Sequence, residues 1–123
     1  MLTRDNILEV KDLETAVVSV PEWGGDVRVR LLTGTERHTL YAKANESGKF
    51  DMAVFSALLV TMTLVDDAGV RLFADDEVGI IAGKSSKAVE KVFAKSEELN
   101  QLSARAVDEA VKNSEPTQNA ASS

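Results

Sequence analysis

Gly83-Lys84-Ser85 matches the end of the phosphate-binding loop GxxxxGK[ST], in which a glycine-rich backbone holds phosphate groups. The first glycine of that motif would fall at position 78, which is Val78. The motif must also follow a buried strand, whereas here a short helix is predicted before it. The stretch is better interpreted as the C-cap of one helix followed by the N-cap of the next.

The segment Asp66–Glu77 has the length of an EF-hand calcium loop and an acidic residue at each end. The third and fifth positions are Ala68 and Val70, which offer no side-chain oxygen, and the glycine position is Arg71. No calcium site is therefore predicted. The acidic residues are better explained as a turn followed by a helix start, where the helix dipole favours negative charge.

The remaining candidates for catalysis are also weak. The chain has no cysteine and a single histidine, His38, which follows Arg37 on a predicted helix at a surface position. These counts exclude disulfides, thiolate nucleophiles and His-rich metal centres within one chain. No carboxylate pair lies beside a nucleophile and oxyanion donors. The sequence predicts a protein that is not an enzyme and uses no metal or cofactor.

The composition of the chain argues against several further classes of function. The 123 residues are 44% hydrophobic, enough for the core of one domain, and carry a formal charge of −6 with 5% aromatic residues. An acidic, aromatic-poor chain is unsuited to nucleic acid. The N-terminus lacks a signal-peptide pattern, and the longest apolar run, Ala57–Val65, is far below the roughly 20 residues that span a bilayer. We expect a cytoplasmic protein that does not bind membranes.

The first third of the chain predicts a short helix and a β-hairpin. Thr3 can cap a helix whose apolar edge contains Ile7 and Leu8, and a helix this short should dock on something to persist. Two strands follow: Thr15–Val20 is a β-branched run, and in 27–31 apolar residues alternate with charged ones. The Pro-Glu-Trp-Gly-Gly sequence between them is typical of a turn. One face of the hairpin must then be covered by helices.

The rest of the chain is predicted to be mainly helical. Thr33 and Glu36 form a capping box, and Asp51 can cap an apolar helix over 52–65, unless Leu64 and Val65 are extended. Further helices are expected after Asp75, Ser85 and Ser103, with a short extended return at 70–73. The predicted fold is α+β: a short helix and hairpin against four to five helices in a single domain of residues 1–113, with 114–123 a disordered polar tail.

Four apolar residues are candidates for binding a partner. Trp23, at the hairpin tip, either folds back over the core edge or stays exposed as an anchor. Val89, Val92 and Phe93 form a stripe at helical spacing, which is more often core than interface. A small domain with an apolar binding face can also bind copies of itself, so self-association is a further expectation.

The order of several motifs resembles the tail assembly chaperones of long-tailed, siphovirus-type bacteriophages and prophages. The motifs are Leu2-Thr3-Arg4-Asp5, Val20–Arg30 with its Pro-Glu-Trp-Gly-Gly turn, Leu32–Arg37, Val65–Phe73, and Asp75–Val78 followed by Gly83-Lys84-Ser85. The resemblance extends over about residues 1–113. Ala74 departs from it, because a Thr or Ser cap is expected there and Ala cannot accept the first-turn N–H groups.

The resemblance implies a non-enzymatic role. Such chaperones bind the tape measure protein, keep it soluble in the host cytoplasm, assist polymerisation of tail tube subunits around it, and are absent from the virion. In many relatives a frameshifted extension recruits the tube protein. We expect an apolar groove to cover apolar stripes on helices of the tape measure protein. The alternative is a permanent component of the tail, such as a tube or terminator subunit.

The resemblance also makes a genetic prediction. A tape measure gene should lie directly downstream of this gene, with a slippery heptamer near the codons for Lys112 and Asn113. Sequencing the surrounding genome is the test. If neither feature is found, the resemblance does not extend to function.

Overall fold

The computed structural model describes residues 1–102, which form five helices and a three-stranded antiparallel sheet. The predicted α+β class is confirmed. The helix expected after Ser103, and the boundary between residues 1–113 and 114–123, lie outside the described residues.

The sheet is built on the predicted hairpin. Strands β1 (Thr15–Val20) and β2 (Gly25–Arg30) are antiparallel, and Ala16 lies opposite Val29. Because side chains alternate along a strand, Ala16, Val18 and Val20 of β1 lie on the same face of the sheet as Val27 and Val29 of β2. That face packs against helices, as the alternating pattern predicted.

The hairpin turn ends the first strand where the sequence indicates. Pro21–Trp23 forms one turn of 3-10 helix directly after β1, because proline cannot donate a ladder hydrogen bond. Gly24 follows with φ of 83°, a left-handed conformation that favours glycine, and its N–H donates to the carbonyl of Pro21 at 3.0 Å. The chain then enters β2.

A third strand, β3 (Leu64–Val65), pairs with β2, so that Leu64 lies opposite Val29. Of the two conformations left open for these residues, the extended one is observed. The predicted extended return at 70–73 is reduced to one isolated bridge, between Val65 and Arg71. The sheet order is β1-β2-β3, with β2 in the centre.

The helices begin at the predicted caps. Thr33 accepts from the N–H of Glu36 at 3.1 Å, and the Glu36 carboxylate accepts from the N–H of Thr33 at 2.9 Å. The side chains of Asp51 and Ser85 cap later helices by accepting from first-turn N–H groups. The helices are α1 (Arg4–Glu9), α2 (Gly34–Ala44), α3 (Met52–Thr63), α4 (Val78–Ala82) and α5 (Ser86–Leu99).

The start of α4 shows how the departure at Ala74 is accommodated. The helix is preceded by a 3-10 turn over Asp75–Glu77. Ala74 has no side-chain acceptor, but the carboxylate of Glu77 accepts from the Ala74 N–H at 2.8 Å. This half of a capping box satisfies one free N–H group without a Thr or Ser at position 74.

Helix α1 does not bury its apolar edge among the other described residues, so the expectation that it docks on something stays a prediction. Its predicted cap is present, because Thr3 and Asn6 exchange hydrogen bonds between side chain and backbone. None of its residues is buried, and Ile7 and Leu8 are 60% and 64% exposed. The six residues are held by the local cap and not by packing against the other described residues.

The core consists of two clusters that meet along α3. The helix cluster joins α2 and α3 and contains Leu40, Ala44, Phe55, Leu58, Leu59, Met62 and Leu102. The sheet cluster joins the inner face of the sheet to α3, α4 and α5 and contains Val20, Val29, Val60, Leu64, Ile81, Ala88 and Val92. Phe93 packs against both clusters, and its ring meets that of Phe55 edge to face at 6.0 Å.

A half-buried ion network connects the sheet, α2 and the turn before α4. Arg30, only 7% exposed, binds Glu36 through two parallel hydrogen bonds of 3.0 and 2.9 Å. Arg71 reaches Glu36 at 3.4 Å and Asp75 at 2.7 Å. Burial raises the pKa of Glu36, but hydrogen bonds from Arg30 and the Thr33 backbone outweigh it, so the pKa lies below its ordinary value of 4.5.

Glu36→Gln should destabilise the protein by about 2 kcal/mol at pH 7, because it leaves the buried charge of Arg30 without its partner. A lowered pKa stabilises the fold above the unfolded value of 4.5, and this stabilisation is lost as the pH falls through the folded value. The difference between wild type and variant should therefore shrink at acidic pH.

Urea denaturation at several pH values measures this difference. Glu98→Gln is the matched control, because Glu98 pairs with Lys95 at an exposed position and its loss should cost little. Equal stability of Glu36→Gln and wild type at pH 7 would contradict the prediction.

Candidate functional site

The hairpin tip is fastened to helix α5. Lys91 on α5 donates to both carboxylate oxygens of Glu22 at 2.9 Å, and this hydrogen bond lowers the pKa of Glu22. Trp23, beside it, is half-buried and packs against the sheet cluster. Of the two conformations considered for Trp23, the one folded over the core edge is observed. Partner binding by Trp23 stays a prediction.

The stripe on α5 also faces inward. Val92 is completely buried in the sheet cluster, and Val89 and Phe93 are partly buried against it. The structure therefore brings all four candidate residues to one internal interface, where the hairpin and α5 pack together. In this conformation Val92 exposes no surface that a partner could contact, and a partner-binding role for the stripe stays a prediction.

The motifs rejected as chemical sites have structural roles. Gly83 ends α4, and Ser85 caps α5 by accepting from the N–H of Ala88 at 3.4 Å. Asp66 accepts from the N–H groups of Ala68 and Val70 at 2.8 and 3.0 Å, which holds the turn after β3. Both interpretations of these segments are confirmed.

Within residues 1–102, no three His, Cys, Asp or Glu side chains are grouped so that they could hold a metal ion. None of the helices in this part of the chain is long and apolar enough to cross a membrane. His38 is exposed on α2.

A concave surface lies where the end of α2, the first turns of α3 and the turn before α4 meet. We call it the acidic groove, and it has a volume of about 560 Å³. Its lining consists of Lys43, Glu46, Ser47, Asp51, Val54, Leu58, Asp75, Asp76 and Val78. Val54 and Leu58 are four residues apart on α3 and so lie on one helix face. Together with Val78 they form an apolar floor.

The rim of the acidic groove is negatively charged. Four carboxylates face one ammonium group, that of Lys43, so the lining carries a formal charge of −3 out of the −6 of the whole chain. Asp51 caps α3, because its carboxylate accepts from the N–H of Ala53 at 3.0 Å, and Asp75 forms an ion pair with Arg71. Glu46 and Asp76 are exposed and form no ion pair with another residue in the described part of the chain.

Sequence reasoning missed the acidic groove. Helix α3 is apolar around nearly its whole circumference, which is typical of the most buried helix in a small domain. The structure buries its second half, whereas Met52 and Val54 in the first turn are 44% and 37% exposed. The available signal was the acidic cap at Asp51, which places the start of the helix next to solvent.

Comparisons with known proteins identify a related fold. No protein-family model matches the chain, and no curated protein matches it. The solved structure of the bacteriophage HK97 tail assembly chaperone is similar, with a TM-score of 0.58 and 17% sequence identity. The similarity covers 77% of this chain and 90% of that chain. The chain therefore has a fold similar to that of the HK97 tail assembly chaperone, and this similarity of fold agrees with the resemblance seen in the sequence.

The different burial of the residues in the α5 stripe predicts that their substitution lowers the free energy of unfolding by different amounts. Val92→Ala should lower the free energy of unfolding by about 2 kcal/mol, because it removes buried methyl groups and leaves a cavity. Val89→Ala should cost less, because Val89 is only partly buried. Urea denaturation followed by fluorescence of Trp23, the only tryptophan, measures both. Equal costs for the two variants would contradict the observed burial.

Proposed function

We propose that the chain is a tail assembly chaperone of a long-tailed bacteriophage. It binds the tape measure protein, keeps it soluble in the host cytoplasm and assists polymerisation of the tail tube around it. The observation that supports the proposal is the fold that this chain has in common with the HK97 tail assembly chaperone over 77% of its length.

This function requires no catalytic group, and we propose that the protein is not an enzyme. A chaperone of this kind covers apolar surface on its client until the client is assembled. Exposed apolar side chains on the chaperone provide the contact, and they are present on α1, on the outer face of the sheet and at the start of α3. The formal charge of −6 keeps the loaded complex soluble by repulsion between complexes.

We propose that the client is bound as a helix. An amphipathic helix presents its apolar residues at intervals of three and four, and a groove between helices of the chaperone can cover that stripe. The chaperone leaves when tube subunits replace it on the client, so it is absent from the virion.

Co-expression with the tape measure protein of the same genome should move that protein from the insoluble to the soluble fraction, because its apolar stripes are covered. Quantitative gel analysis of the two fractions measures the shift. The control is Val92→Asp, which places a charge in the core and should abolish folding and rescue together. Rescue by this unfolded variant would show that the effect is non-specific.

Mass spectrometry of purified virions tests the transient role. The chain should be missing from particles that contain the tape measure and tube proteins. Its presence in stoichiometric amounts would contradict the proposal and would instead indicate a permanent component of the tail.

A further inference from the structure

We propose that the acidic groove is the client-binding site and that its occupant is a basic amphipathic helix, in which an apolar stripe is flanked by Lys or Arg. The inference rests on the proposed function for the identity of the client. It goes further by assigning a surface and the chemistry of the segment that binds there.

The floor of the acidic groove supplies the apolar part of the contact. Val54 is 37% exposed, whereas Leu58, one turn further along α3, lines the groove but is only 3% exposed. Val78 closes the floor from the start of α4. The volume of about 560 Å³ lies in the range of pockets that bury a whole drug-sized ligand, so it can take more than one side chain of a helix.

The rim of the acidic groove selects the charge of the occupant. Glu46 stands at the end of α2, and Asp76 stands in the turn before α4, so unpaired carboxylates flank the apolar floor from two elements. An apolar helix flanked by acidic residues would be repelled by this rim, whereas one flanked by Lys or Arg gains two complementary contacts. Such rim charges determine specificity and the rate of association.

The other exposed apolar surfaces combine these features less fully. Helix α1 exposes Ile7 and Leu8 on a short element with no buried residue. A second concave surface beside the sheet is smaller, at about 450 Å³, and places Val17 and Leu72 among Asp26, Asp66 and Asp67. Arg28 reduces the formal charge of that lining to −2, against −3 in the acidic groove, so the acidic groove has both the larger volume and the greater negative charge.

The inference can be tested with two designed peptides. They have the same Leu stripe at helical spacing, but one has Lys and the other Glu on its polar positions. Fluorescence anisotropy with the full chain should show the Leu/Lys peptide binding at least about tenfold more tightly than the Leu/Glu peptide, with an affinity that falls as salt is added. Equal affinity for the two peptides would overturn the inference.

Charge-reversal variants distinguish binding in the acidic groove from non-specific attraction of a basic peptide to an acidic protein. Glu46→Lys combined with Asp76→Lys should weaken Leu/Lys binding by at least about tenfold. The matched control is Asp67→Lys combined with Glu90→Lys, which makes the same change in net charge at exposed positions outside the groove. Equal losses in the two double variants would overturn the inference.

Crosslinking identifies the occupant. Because the chain has no cysteine, Ser47→Cys places a unique attachment point for a photoreactive maleimide in the groove lining. In the co-expressed complex the crosslink should join a Lys- or Arg-rich segment of the tape measure protein. A crosslink to a second copy of the chain, to residues 103–123 of the same chain, or to nothing would overturn the inference.

The failure of the proposed function is distinguishable from the failure of this inference. If wild type and both double variants solubilise the tape measure protein equally, the function stands and the groove is not the site. If wild type does not solubilise it but the groove prefers the Leu/Lys peptide, the assigned chemistry stands and the client is a different protein.

Discussion

Covering helix α3 is the constraint on which the rest of the structure depends. Its apolar side chains point in nearly every direction, so one neighbouring layer cannot bury them. The helix cluster covers one side with α2, and the sheet cluster covers the other with the hairpin, α4 and α5. Its polar side chains are satisfied within the core, because Thr61 donates to the Ala57 carbonyl at 2.7 Å and Thr63 shares a hydrogen bond with Ser96 at 2.8 Å.

The elements around α3 are joined by polar contacts at their ends. The network of Arg30, Glu36, Arg71 and Asp75 connects the sheet, α2 and the turn before α4. Asn100 accepts from the N–H of Leu32 at 2.8 Å and so ties the end of α5 to the segment before α2. Apolar burial provides most of the stabilisation, whereas these directional contacts fix how the elements are arranged.

The apolar surface that remains exposed is unevenly distributed. Single exposed apolar residues are normal on a small protein, because there is not enough polar surface to cover it. Val54, in the first turn of α3, lies in a concavity that four carboxylates also line. The same turn before α4 that contributes Asp75 to the ion network places Asp76 at the edge of this groove, so one local structure serves both stability and the proposed contact.

The sequence by itself determined the elements whose signals are local. Alternating apolar residues and the Pro-Glu-Trp-Gly-Gly turn defined the hairpin, side-chain caps defined the starts of the helices, and the order of motifs indicated the chaperone fold. Such features depend on neighbours a few residues apart, which the sequence contains explicitly. It also left open the choice between helix and strand at Leu64 and Val65, which the adjacent edge of β2 settled.

Only the tertiary structure decided which apolar residues are covered. Helix α1 has the apolar edge of a docked helix but packs against none of the other described elements, and the first turn of α3 is exposed although its composition is that of a core. The acidic groove brings together Glu46, Val54 and Asp76, which are separated by many residues in the sequence. Burial depends on which segments, distant in the sequence, pack against each other. Apolar periodicity indicates that a face can be buried, but it does not indicate which segment covers that face.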